Sequence, residues 1–216
     1  MTTSKLTPKN TLRRRVLDAA RSRAGPAGNI WYAWSEKCHA SLVLPSDIAL
    51  IYWLVCLEFD PDVETFRLGS VGNDYDFSVV RRSQGASKLI ISDRRVAKSG
   101  SSSVICIPTR EVLSQSGLAV KLMKPLAFAA AIAQKECVAT SNAVRAFTIS
   151  QKKGELHNFF DALPLLDQSE VCGVFVRHVV NGYIRMNLTD QPFGVHTPWM
   201  CRQPVTNTES DLCHVT

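Results

Sequence analysis

The chain of 216 residues is 45% hydrophobic and 20% charged, enough apolar material to bury a substantial core, which excludes disorder over its main body. A formal net charge of +6 and an isoelectric point near 9.0 favour a polyanionic partner over a basic one, and the excess is concentrated in residues 1–100, where fifteen Lys/Arg face ten Asp/Glu. Seven cysteines without a Cys-x-x-Cys pair argue against a disulfide framework and a zinc knuckle, and neither an apolar signal core nor a membrane-length apolar run is present, so a soluble cytoplasmic protein is expected.

Residues 1–29 read as a basic arm: Arg13, Arg14 and Arg15 sit in a short amphipathic stretch that breaks at Gly25, Pro26 and Gly28. Trp31, Tyr32 and Trp34 follow, aromatic residues suited to a core or to stacking. Ser46 is a good N-cap and Asp47 complements a helix N-terminus, predicting a helix from residue 48 to Leu57 that is apolar on nearly every face. Asp60 and Pro61 end it, because proline disfavours helical geometry in the residue before it. Strand character then recurs at residues 63–68, 75–80, 88–91 and 104–107, separated by Gly- and Ser-rich segments, which predicts a mixed α/β domain over residues 30–120.

From Lys124 and Pro125 onward the pattern turns helical, with helices expected at 126–137, 142–150, 156–163 and 169–181 and with Gly182 as the C′ residue of the last. Residues 183–188 alternate like a strand. Residues 121–202 thus have the plan of a winged helix, and residues 203–216 form a polar tail.

The block PSDIALIYWLVCLEFDPDVETF at residues 45–66, above all LEFDPDV at 57–63, resembles the start of the TnsA endonuclease subunit of heteromeric transposases, and residues 180–197 resemble that family's C-terminal pattern of helix, glycine, short strand and proline-containing loop. The resemblance implies a restriction-endonuclease-like mixed sheet with flanking helices, followed by a winged-helix-like domain. It further implies work on double-stranded DNA at transposon ends beside transposase and ATPase subunits, in the bacterial cytoplasm and associated with the nucleoid.

Family members cut DNA with carboxylates that hold Mg²⁺, placed on a helix glutamate, a strand aspartate and a Glu/Gln-x-Lys on the next strand; the metal neutralises developing charge and activates water. Here the helix position is Ala49, the strand aspartate maps onto Asp76, and the next strand ends at Ser92-Asp93, with Arg95 where a lysine would stand. Asp76 and Asp93 are therefore the candidate metal ligands, with Lys88 as the neighbouring catalytic cation, and the motif is eroded. Arg81 and Arg82, with Arg94, Arg95 and Lys98, flank the same strands as a candidate DNA-binding rim. Glu58, Asp60, Asp62 and Glu64 read as a solvated helix end rather than a metal site. The expectation is a TnsA-like protein that binds DNA ends and partner subunits with cleavage lost or weakened. Two alternatives stand beside it, an active Mg²⁺-dependent endonuclease using Asp76, Asp93 and Glu58, and an interaction module whose basic charge is incidental.

Overall fold

A twelve-residue helix, α1 (Ile48–Phe59), lies between two hydrophobic cores. That position, seen in the computed structural model, which describes residues 30–45, 48–68, 75–93 and 104–202, accounts for the helix's apolar character on nearly every face. Leu50, Leu54 and Leu57 pack on a sheet through Val63, Phe66, Phe77, Val79 and Leu89, while Val55 joins a second core with Leu126, Val176 and Phe175. The expected basic arm, the Ser46 cap with Asp47, the residues Arg94, Arg95 and Lys98, and the tail lie outside the described residues.

The sheet runs in the order β3 (Val63–Leu68), β4 (Tyr75–Arg81), β5 (Gly85–Ile91), β6 (Val104–Ile107). The first three strands form an antiparallel meander, and β6 lies parallel to β5. Phe77 and Val79 are fully buried with Ser78 exposed between them, the two-residue period of a strand with one face on a core. Ahead of α1, β1 (Ile30–Ser35) and β2 (Ala40–Pro45) pair as an antiparallel hairpin. The aromatic stretch before the helix is thus strand.

The remainder comprises α2 (Thr109–Ser114), α3 (Ser116–Ala131), α4 (Val138–Gln151), β7 (Lys153–Glu155), α5 (His157–Ala162), α6 (Gln168–Val180), β8 (Ile184–Met186) and β9 (Pro198–Cys201). The last three strands form an antiparallel sheet in the order β7-β9-β8. The chain is therefore a mixed α/β protein with a mixed sheet and flanking helices.

A division between residues 120 and 121 falls inside α3, which begins ten residues before the expected helix and carries Pro125 in its interior. Ala119, Leu122, Leu126 and Ala129 are buried at helical spacing, and their packing outweighs the one backbone hydrogen bond that Pro125 cannot donate. Gly173 lets α3 and α6 approach closely: a Cβ there would stand 2.8 Å from the Phe128 carbonyl oxygen and from Ile132. At the end of α6 the Gly182 amide donates to Val179 and the Tyr183 amide to His178, with Gly182 at φ +81°, a Schellman motif with the expected C′ residue. Among the described residues no helix is long and apolar enough to cross a membrane.

Candidate functional site

The register of β4 and β5 locates the residues expected to bind metal. Asp76 pairs with Ile90, Phe77 with Leu89 and Ser78 with Lys88. Cross-strand partners are the closest residues of a ladder, and the register sets an alkyl residue rather than a second acid opposite Asp76. Lys88 stands one diagonal step from Asp76 in the ladder, half-buried, and pairs with Val104 of β6 on its other side. Asp93 lies beyond the end of β5. Its Oδ1 accepts from the Thr109 amide at 2.9 Å, serving the start of α2, where Pro108 at the N-cap makes no side-chain cap bond. Ala49, where the resemblance would place a helix glutamate, is buried in the core between α1 and the sheet.

Glu58 departs from its expected role. It is not a solvated helix-end acid but is fully buried, accepting from the Ser35 hydroxyl at 2.7 Å and from the amides of Glu36 and Lys37 at 2.6 and 3.2 Å. Burial raises its pKa against the lowering effect of those bonds and of the Lys37 charge. The Lys37 ammonium in turn donates to the carbonyls of Leu57, at 2.9 Å, and Asp60, a cation at the C-terminal end of α1. Glu36 accepts from Arg177 Nε of α6 at 3.2 Å, so the β1–β2 turn binds the two halves of the molecule together. Glu58 and Asp93 are each bonded to a different backbone segment.

The predicted arginine pair is divided. Arg81 is largely buried and donates to Asp60 at 2.8 Å, with Asp62 at 3.5 Å, while Asp62 also accepts from the Ser83 amide at 3.0 Å and hydroxyl at 2.7 Å. Asp60 and Asp62 thus hold the β4–β5 turn, and Arg81 is held with them. Arg82 is exposed in that turn and lines a cleft of about 510 Å³ with Arg145 of α4, Arg202 after β9, and Tyr183. The Arg145 guanidinium lies 5.4 Å from the centre of the Tyr183 ring. His178, on the same wall, has its pKa lowered by burial and approaches the Ser141 hydroxyl at 3.3 Å. Among the described residues no carboxylate lines this cleft. Three guanidinium groups lining one cleft suit an anion that accepts paired hydrogen bonds, as a phosphodiester does.

Local sequence patterns do not single out Arg145, Tyr183 or Arg202. They lie far from Arg82 along the chain, and only the packing of α4 and β9 beside the β4–β5 turn assembles them. Comparison with protein-family models, curated proteins and solved structures found no match to this chain.

Proposed function

We propose that this chain is a TnsA-like transposition protein that binds transposon-end DNA and the transposase and ATPase subunits of a transposition complex, and that it no longer cuts DNA itself. The observation that carries this reading is the Asp76–Ile90 pair within a helix-backed mixed sheet. The aspartate that the resemblance assigns to a strand stands on β4 opposite an alkyl residue, the acid at the end of the next strand, Asp93, accepts from the Thr109 amide, and the helix acid position is a core alanine.

The second half supports a DNA role by a particular route. Its order of helix, strand, two helices and two strands from α4 to β9 agrees with a winged-helix plan, in which the later helix would enter the major groove. Here α6 is enclosed: of its residues only Gln168 and Ser169 are exposed. Base reading by α6 is sterically closed, so the acid-free arginine cleft is the surface left for the phosphate backbone.

Full-length protein incubated with transposon-end duplex and Mg²⁺ or Mn²⁺ tests the proposal. Salt-dependent binding without strand nicking is the expected result; nicking abolished by Asp76→Ala refutes the loss of cleavage, and binding that ignores salt refutes the DNA role.

A further inference from the structure

We infer that Glu155, His157 and His196 form a binding site for a zinc-class divalent metal ion, which clamps the loop preceding β9 to β7 and α5. Glu155 Oε2 lies 2.9 Å from His196 Nδ1 and 3.3 Å from His157 Nδ1. The three donor atoms all fall within 4.8 Å of one another. A zinc ion with ligand bonds near 2.0–2.1 Å and inter-ligand angles between square and tetrahedral holds its donors about 2.9–3.4 Å apart, and the two carboxylate–imidazole separations lie in that interval.

The backbone builds this cluster independently of the side chains' attraction. The Leu156 amide donates to Thr197 at 3.0 Å and the His157 amide to Val195 at 2.8 Å, which sets the two histidines side by side with rings 5.6 Å apart. Trp199 Nε1 donates to the Glu155 carbonyl at 3.0 Å and fixes the end of β7. From α3, the Lys121 ammonium donates to the Leu188 carbonyl at 2.8 Å and that of Lys124 to Phe193 at 2.9 Å, holding the loop from its other side.

One atom in the cluster lacks a partner. His157 Nδ1 is buried and makes no hydrogen bond, because Glu155 Oε2 is within ion-pair distance but out of hydrogen-bond alignment. An imidazole nitrogen enclosed beside a carboxylate and a second imidazole, once metal displaces its proton, belongs to the donor set of zinc rather than of Mg²⁺, which takes oxygen ligands. His196 is 72% exposed at its side chain, leaving the fourth coordination position to water.

Asn158 sets the affinity. Its Oδ1 accepts from the Glu155 amide at 2.7 Å, so its Nδ2 faces His157 Nε2 at 3.0 Å and favours the imidazole proton on Nδ1. Metal at Nδ1 moves that proton to Nε2, against the Asn158 donor. Asn158→Asp would accept both the Glu155 amide and the Nε2 proton, the arrangement that raises the basicity of a metal-bound imidazole.

Calorimetric titration of the full chain with zinc alone, and absorption spectra with cobalt in its place, test the site. The expected result is one ion per chain, binding weakened at least about tenfold in His196→Ala and in His157→Gln and tightened about tenfold in Asn158→Asp. His196→Ala alters an exposed side chain, and unchanged circular dichroism verifies its fold. No stoichiometric zinc binding by the wild type, or binding that survives both histidine variants, overturns the inference.

Discussion

Ile90 on β5 stands directly across the ladder from Asp76 on β4. A lone carboxylate holds a divalent cation poorly, because hard cations need several oxygens and a net negative site. Placing a second acid opposite Asp76 is therefore predicted to create binding where there is little. Ile90 is only half-buried, so Ile90→Glu is tolerated. In Mn²⁺ titrations followed by calorimetry, Ile90→Glu gains at least about tenfold in affinity over the wild type, and Asp76→Ala in the same background removes the gain. Equal, weak binding by all three would mean that β4 does not present a metal-binding position.

The arginine cleft predicts which charges DNA senses. Removing one side chain that neutralises a phosphate lowers the slope of log affinity against log salt by about 1. Arg82→Ala, Arg145→Ala and Arg202→Ala are each expected to reduce that slope, measured by fluorescence anisotropy on duplex DNA, in a manner independent of sequence. Arg81→Ala is expected to leave the slope unchanged, because its guanidinium is already engaged by Asp60 and Asp62. A reversed ranking of Arg81 and Arg82 would place the interface elsewhere.

The contrast between those two neighbours shows where local reading stops. Strands at 63–68 and 104–107, the buried helix and the Gly182 cap are written in short-range patterns of two or 3.6 residues and in the left-handed freedom of glycine, and the structure has them in place. The β1–β2 hairpin was not legible, since its turn is stabilised by Glu58, more than twenty residues away. For the same reason Glu58 reads as a surface acid: nothing in the run LEFDPD announces that Ser35 and two amides will enclose it. The functional candidates Arg145, Arg202 and His196 are set by tertiary packing alone, and isolated basic residues carry no periodicity to betray them.

Glu58 is predicted to be among the most sensitive positions for stability. Glu58→Ala leaves two buried amides and the Ser35 hydroxyl without their acceptor and Lys37 without its strongest counter-charge, a loss of about 3–5 kcal/mol in urea unfolding. Glu58→Gln keeps an acceptor oxygen for the amides and is expected to recover at least half of that. If alanine and glutamine were equally and mildly destabilising, the buried network would contribute little.

Gly173 gives a steric prediction independent of charge. A methyl group there meets a backbone carbonyl at 2.8 Å, and backbone in the middle of α3 cannot swing aside as a flexible side chain would. Gly173→Ala gains helix propensity of about 1 kcal/mol but forces α3 and α6 apart, with an overpacking cost of about 1–3 kcal/mol. The net expectation is a lower urea midpoint, with a larger drop for Gly173→Val. An unchanged or raised midpoint for the alanine variant would show that the two helices have room to separate.

Lys37 ties stability to alkaline pH with a definite sign. Burial pulls its pKa from 10.5 down to about 8, against the raising effects of Glu58 and Asp60. Below about pH 8 the ammonium is charged in both folded and unfolded chains, and the folded state carries the desolvation cost. Between about 8 and 10.5 only the unfolded chain holds the proton, so this group makes the protein more stable as pH rises, by at most about 3 kcal/mol. Cys56 and Cys172, each pushed up to about 11 by burial, act oppositely above pH 9, because the unfolded thiols ionise first. Comparing wild type with Lys37→Met cancels the cysteine contribution. The stability of wild type relative to the methionine variant should therefore climb between pH 7.5 and 10 in urea titrations followed by tryptophan fluorescence. A difference that stays flat over that range would show that the Lys37 ammonium remains as well solvated in the folded protein as in the unfolded chain.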